Sequence, residues 1–598
     1  MSSNVANHPR ARRSRLRRAL LAALAALAAL PAATLRAEEP WRWAGVSRVV
    51  VVPDIHGAYD ELIGLLQATA IIDGSLNWSG GAARLVSLGD LLDRGAESRK
   101  VVELLMRLQR DAPLHGGGVH VLLGNHEVMN LIGDVRYVST AEYAAFAADE
   151  PEDARASAYE RFRARPATLT EQEARRVFTE RYPPGYFGHR LAFAPAGRYG
   201  SWLLSLPSLI VINDTAFVHG GLPGIVAGMS AGELNQLNQD DLRGYLAARD
   251  ELAGAEIADD TPRATGDEED FAVLNDARGL AVDGPLWYRG SVYCKAILEE
   301  PLLDAALERL DVAKVVVGHT PTEDRRVHEL YEGKLIMLDT GMLASYYAGR
   351  PAALIIENGE TLVQYLGPQE RVRPERDGRL IAHGLTEPEI VEALATGEVL
   401  AVDANETGGR PELRLQYRGH TIQATFYLQD RARAADRELA AYRLDRLLDL
   451  DLVPPTVPRR ILDQEGALQL SYPDAVSESA RVERRLGLGT WCPVNPQLQL
   501  MYAFDALIHN TGRTRDSVFF RLEIPDLKLV GHQRAFGAER GLREGIGELT
   551  PTPALVEALT ALNEERLEAT LGTWLSGAQI RALLARRDAL LERFAQHD

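Results

Sequence analysis

Five stretches of this chain place metal-ligating side chains directly behind short apolar runs. "VVPDIHG" delivers Asp54 and His56, "LVSLGDLLDRG" delivers Asp90, Asp93 and Arg94, and "VLLGNHE" delivers Asn125 and His126. "AFVHGG" adds His219 and "VVVGHTP" adds His319. Each has an ordinary explanation by itself, since Pro53 and Gly57 are turn residues and a lone histidine behind a strand is usually a satisfied buried group. Together they are harder to dismiss, because acids and imidazoles converging at strand ends are costly to bury without cations. A mixed set of nitrogen and oxygen donors suits Mn, Fe or Zn.

Such residues meet only if the strands that carry them lie side by side. From Ser47 to about Tyr365 the runs "RVVVV", "ARLVSLGD", "GVHVLLGN", "SLIVINDTAFVHGG", "AKVVVGHT", "KLIMLDTG" and "AALIIENGE" alternate with helical stretches. Near-continuous apolar runs of this length predict sheet strands covered on both faces, hence an α/β core. In such sheets the carboxyl ends of the strands gather along one rim, where ligands bind. Residues about 140–200 turn helical and polar, with Thr170 and Glu173 spaced as a capping box, and read as an insertion over one face. The Pro- and Arg-rich stretch 367–379 has the composition of a linker.

At 598 residues, with 46% hydrophobic and 25% charged, the chain is an ordinary globular protein of several domains. Residues 1–37 combine an arginine-rich start, an apolar run from about Ala19 to Leu30 and small residues up to Ala37. That run is too short for a ~20-residue bilayer span, so it reads as a signal peptide, and an exported, periplasmic protein is expected. The formal charge is −18, and loss of the seven arginines in that segment would take it to −25. Such a surface excludes nucleic acid and anionic membranes as partners. An anionic substrate then needs a local positive centre. Cys294 and Cys492 are too few for a disulfide framework, and they read as structural.

The run D-x-H-G, G-D-x-x-D-R-G, G-N-H-E, H-G-G and G-H-T resembles the calcineurin-like metallophosphoesterases of the phosphoprotein phosphatase branch. "GNHEVMNLIGDVRYV", "YGSWLLSLP" and "GPLWYRG" narrow the likeness to the Shewanella-like phosphatases. Pro53 stands where that family often has Gly. The resemblance implies a sandwich of two mixed β-sheets flanked by helices over residues 38–366. It also implies two divalent or trivalent ions, one held by Asp54, His56 and Asp90 and the other by Asp90, Asn125, His219 and His319. A carboxylate shared in that way holds two ions ~3.5–4 Å apart and lets one nucleophilic hydroxide bridge them. Arg94 and Arg289 are implied to fork the phosphoryl oxygens, and His126, oriented by Asp93, to protonate the leaving oxygen. The substrate implied is a phosphoprotein or other phosphomonoester. A phosphodiester or small phosphate ester, or a non-catalytic phosphopeptide receptor, are the competing readings.

Residues 380–598 pose a separate question. "LTEPEIVEALATGEVLAV", "ETGGRPELRLQYRGHTIQATF", "RELAAYRLDRLLDLDLVPPTV", "FDALIHNTGRTRDSVFF", "LVGHQRAFG" and "LSGAQIRALLARRDALL" resemble the α+β fold of atypical kinases. The likeness puts Gly512 at the catalytic aspartate, Asp516 near the metal-binding asparagine, Gly531 at the metal aspartate and Tyr427 at the nucleotide lysine, with Glu438 left unpartnered. Phosphoryl transfer needs carboxylates for Mg²⁺ and a cation on the phosphates. A pseudokinase is therefore expected, open to a regulatory ligand or protein.

Overall fold

The computed structural model describes residues 41–164, 169–255, 277–367, 371–376, 379–403, 410–430, 433–543 and 549–596. The signal peptide expected over residues 1–37 lies outside them. Among the described residues no helix is long and apolar enough to cross a membrane.

Successive side chains of a strand point to opposite faces, so the "RVVVV" run feeds two cores at once. Val50 and Val52 pack with Leu62, Leu65 and Leu66 of the helix Tyr59–Ala68. Val49 and Val51 face Ile210, Ile212, Phe217 and Val316 of a second sheet. The result is a sandwich of two mixed sheets with helices outside both. One sheet orders its strands Glu360–Tyr365, Ala352–Glu357, Arg48–Val52, Arg84–Ser87 and Gly118–Val121. The other runs Arg42–Trp43, Leu209–Ile212, Thr215–Val218, Lys314–Val317, Leu335–Met337, His328–Leu330 and Glu375–Arg376.

Register brings the ligand-bearing ends level. In the first sheet Val52 pairs with Ser87 and Ser87 with Val121, all parallel. In the second, Val218 pairs with Val317 and Val317 with Met337, again parallel. Each sheet thus presents three carboxyl ends in one row, and the two rows face each other.

The insertion is helical, from Thr140–Ala144 to Gly200–Leu203. It has an aromatic core of its own that includes Tyr143, Phe178, Tyr182, Tyr186 and Phe187. The Thr170–Glu173 capping box forms, with Thr170 N donating to Glu173 Oε2 at 2.9 Å. The stretch read as a linker does not hang free in its described parts. Val372 bridges Val363, and Glu375–Arg376 adds a parallel strand beside His328–Leu330.

Beyond it, five antiparallel strands are ordered Glu398–Asp403, Glu412–Tyr417, His420–Leu428, Gln464–Leu470, Thr456–Ile461. The helix Glu387–Thr396 buries Ile390 and Leu394 against them. A mostly helical half follows around Val494–Leu507 and Gly577–Phe594. Here Glu438 is not without a partner, as the sequence led us to expect. Its carboxylate accepts from His532 N at 2.6 Å and pairs with His532 Nδ1 at 2.8 Å. A buried carboxylate must find a donor, and a histidine from the "VGHQ" turn supplies it in place of a lysine. The cysteines meet as well: Cys294 and Cys492 form a disulfide between the sandwich and the C-terminal region.

Candidate metal centre

The loops at the facing rims are held in uncommon conformations. His56, Asp90, Asp93, Arg94 and His319 have positive φ (48°, 51°, 70°, 66° and 63°). Non-glycine residues persist there only when the surroundings over-determine them, and such strain clusters at functional sites. Two glycines let the loops approach so closely. A Cβ on Gly124 would stand 2.4 Å from Asp90 Oδ1, and one on Gly318 would stand 2.4 Å from Asp54 Oδ1.

Asp90 occupies the centre. His219 Nε2 lies 3.3 Å from its Oδ1, while His56 Nε2 and His126 Nε2 lie 3.7 and 3.8 Å from its Oδ2. Two triplets of potential ligand atoms, each within 4.8 Å of one another, share this carboxylate: His56, Asp90 and His126, and Asp90, His219 and His319. Asn125 Oδ1 joins the second at 2.9 Å from His219 Nε2, and Asp54 lies 4.0 Å from both His56 and His219. Asp54 Oδ1 also accepts from the backbone N–H of His319 at 2.9 Å. All are buried.

Carbonyls fix the imidazoles. His56 Nδ1 pairs with Leu92 O at 2.8 Å and His219 Nδ1 with Leu88 O at 2.9 Å, which turns Nε2 of both rings inward. His319 is reversed, with Nε2 at 3.2 Å from Trp287 O.

The charges conflict when left to themselves. Burial pushes Asp54 well above the ordinary carboxylate range, helped by Asp339. Burial also lifts Asp339 to about 6, with Asp90 adding to the rise. Asp90 moves the other way, because His219, His126 and His56 outweigh its burial and hold it well below that range. His219 rises to about 9 against its own burial, through Asp90 and Asp54. His56 and His319 are pushed well below their usual value, chiefly by burial. The neutral rings of His56 and His319, beside carboxylates that repel one another, are suited to a bound cation, and one would relieve the repulsion and take the place of the proton that His219 otherwise holds. The donor set therefore fits metal ions.

The flanks carry the remaining predicted residues. Asp93 grips His126 Nδ1 through Oδ2, and Asn130 Nδ2 donates to its Oδ1 at 2.9 Å. Arg94 lies on the His56 side, touching His56 Nε2 and the Tyr347 hydroxyl. Arg289 lies on the opposite flank, where its Nη1 donates to His319 O and Thr320 Oγ1, both at 2.9 Å. All ten predicted residues are thus brought to one place.

The family pattern described as calcineurin-like phosphoesterase matches residues 47–323. A Schizosaccharomyces pombe protein described as uncharacterized is 30% identical over 321 residues, 52% of this chain and 78% of that protein. The chain belongs to the calcineurin-like phosphoesterases. Shewanella-like protein phosphatase 2 of Arabidopsis thaliana is 26% identical, covering 53% of this chain and 76% of its own length. The crystal structure of a cold-active protein-tyrosine phosphatase from a psychrophilic Shewanella is 26% identical over 56% of this chain and 83% of that one, with a TM-score of 0.40. Together with the family pattern, the phosphatase relatives make this phosphoesterase a hydrolase of phosphate esters, a phosphatase whose substrate is phosphorylated.

Three residues of this phosphoesterase site escaped the sequence reading. Asp339 ends the strand run in "LIMLDTG" as Asp54 and Asp90 end theirs, so the same signal could have found it. Glu127, inside the quoted "GNHE", accepts from the backbone N–H of Asp90, Leu91 and Gly124 at 2.8, 2.8 and 2.9 Å and so ties two ligand loops together. Burial, with Asp90 beside it, raises Glu127 to about 7. Tyr347 has no signal in the sequence.

Proposed function

We propose that the protein is an exported phosphomonoesterase acting on phosphoproteins through two metal ions. The observation that carries this is the Asp90 carboxylate common to both ligand triplets. With His126 held by Asp93 and kept for proton transfer, Asp54 would join His56 and Asp90 around one ion, and Asp90, Asn125, His219 and His319 would hold the other. Bound there, they would supply Lewis acidity, lowering the pKa of water toward neutrality and offsetting charge on the phosphoryl group. Arg94 and Arg289, on opposite flanks, orient the phosphoryl oxygens through the planar fork of guanidinium. His126 gives its Nε2 proton to the leaving oxygen, and Asp93, steadied by Asn130, holds Nδ1 protonated through that step.

The relatives named as protein phosphatases favour a phosphoprotein substrate. One feature favours phosphotyrosine in particular: the Arg94 guanidinium lies 5.3 Å from the ring centres of Tyr137, Tyr346 and Tyr347. Tyr137 and Tyr346 are exposed, offering aromatic surface beside the phosphate position. The disulfide supports export, because such bonds persist in oxidising compartments.

For the C-terminal region a non-catalytic role is the reading we favour. Glycines stand where the likeness puts the catalytic and metal aspartates, at Gly512 and Gly531, and nearby Arg513 spends its donors inside the fold, on both Asp505 oxygens at 2.8 and 2.9 Å and on Val530 O at 2.6 Å.

The test is chelation followed by separate return of Mn, Fe and Zn, read with p-nitrophenyl phosphate and then with phosphotyrosyl, phosphoseryl, nucleotide and sugar phosphates. Activity should vanish and return, with phosphotyrosyl peptides at least about tenfold better in kcat/KM. Undiminished activity after complete metal removal contradicts the mechanism, and preference for a phosphodiester or small ester contradicts the substrate.

A further inference from the structure

Arg289 sits in a segment that the C-terminal region grips from several sides. The segment continues through the short helix Gly290–Tyr293 to Cys294 and Lys295. Cys294 is bonded to Cys492. The Cys294 carbonyl accepts from Arg379. The Lys295 ammonium, almost wholly buried, donates to Asp451 O at 2.6 Å and Asp526 Oδ1 at 2.8 Å.

The residue preceding Cys492 reaches the site itself. The Trp491 ring centre lies 5.3 Å from the Arg289 guanidinium carbon, within range of a cation–π contact. Arg289 is therefore fixed twice. Its Nη1 is bound to the carbonyl of the metal-ligand candidate His319 and to Thr320 Oγ1, and its guanidinium stands over an indole from a part of the chain about 200 residues away. No carboxylate among the described residues hydrogen-bonds to it. An arginine fixed this way, with Asp339 near enough to feel its charge but no carboxylate hydrogen-bonded to it, is prepared for an anion.

We infer that Trp491 is a positioning residue of the phosphate site: the C-terminal region, fastened by the Cys294–Cys492 disulfide, holds Arg289 in place for the phosphoryl group. The inference rests on the assignment of Arg289 to that group. It gives the C-terminal region a task in the phosphatase reaction that needs no nucleotide and no kinase activity. It also accounts for the disulfide's place, five residues after Arg289 and one after Trp491.

Four variants of the full chain test it: Arg289→Ala, Trp491→Ala, Trp491→Phe and the double substitution Cys294→Ser with Cys492→Ser. KM and kcat for p-nitrophenyl phosphate, the inhibition constant for inorganic phosphate, metal content and melting temperature are measured for each. Trp491→Ala should raise KM and the phosphate inhibition constant by about 2- to 30-fold, the range a cation–π contact is worth, with a smaller change in kcat and unchanged metal content. Trp491→Phe keeps an aromatic face and should recover most of the loss, which a purely structural role for the indole would not predict. The double serine variant keeps the tryptophan but loosens its tether, and should shift both constants in the same direction. It serves in place of Trp491→Ala should that variant fail to fold. Arg289→Ala impaired beside a Trp491→Ala or double serine variant with wild-type constants overturns the inference and leaves the arginine's role standing. Wild-type constants in Arg289→Ala overturn both.

Discussion

At the scale of residues, the centre is an arrangement of side chains that are uncomfortable alone. Asp54 and Asp339 are driven toward protonation while Asp90, despite its burial, is held well below the usual carboxylate range, first of all by His219, and left-handed backbone at His56, Asp90 and His319 shapes the loops there. His126 has the clearest separable task. Its replacement by alanine should slow alkyl phosphates by about 10²–10⁴-fold, the usual worth of a general acid, and slow p-nitrophenyl phosphate far less, since a good leaving group needs no proton. Equal losses on both substrates, measured as kcat/KM, would remove it from that role. The candidate ligands were legible because each stands at the end of an apolar run within a family motif. Asp339 obeyed the same rule without a motif to mark it. Tyr347 was invisible, because its approach to Arg94 depends on how the chain folds back after "LDTG" rather than on local pattern.

At the scale of elements, the helix Asn125–Ile132 matters beyond the candidate ligand at its first position. Through Glu127 it accepts three backbone N–H groups that would otherwise be buried without partners. Glu127→Ala should cost at least about 1–3 kcal/mol, the penalty for one such group, visible as a lower melting temperature. An unchanged melting temperature would contradict the role. The junction between sandwich and C-terminal region makes a pH prediction. Asp451 is partly buried, and that desolvation alone would raise its pKa, but Lys528, Lys295 and Arg446 outweigh it and hold the carboxyl below its usual value. A carboxyl depressed in the folded state stabilises at pH above its unfolded value of about 3.9 and loses that contribution as pH falls below it. Amide protection around Lys295 and Lys528, taken relative to the intrinsic exchange rate at each pH, should therefore be high at neutral pH and fall progressively below about pH 4. Protection that does not change across that range would contradict the pairing. Strand order within each sheet was beyond the sequence, since it depends on pairings far apart in the chain. The strand at Glu375–Arg376 was missed because its composition is that of a linker and only pairing with His328–Leu330 makes it one.

At the scale of the whole molecule, the C-terminal region is fastened to the sandwich beside the site. The sandwich supplies the ligands, the insertion adds an aromatic-cored layer, and the C-terminal region reaches back through a disulfide, a buried ion cluster and an indole. Sequence gave no means of pairing Cys294 with Cys492, because residues 198 apart meet only through the fold. Nor could it show that Glu438 finds His532. The central claim is that Asp90 bridges two cations, and anomalous X-ray diffraction from crystals of the purified protein, recorded at the absorption edges of Mn, Fe and Zn, tests it most directly. The account predicts two peaks about 3.5–4 Å apart, each within bonding distance of one Asp90 oxygen. A single peak, or two that do not share Asp90, would contradict it.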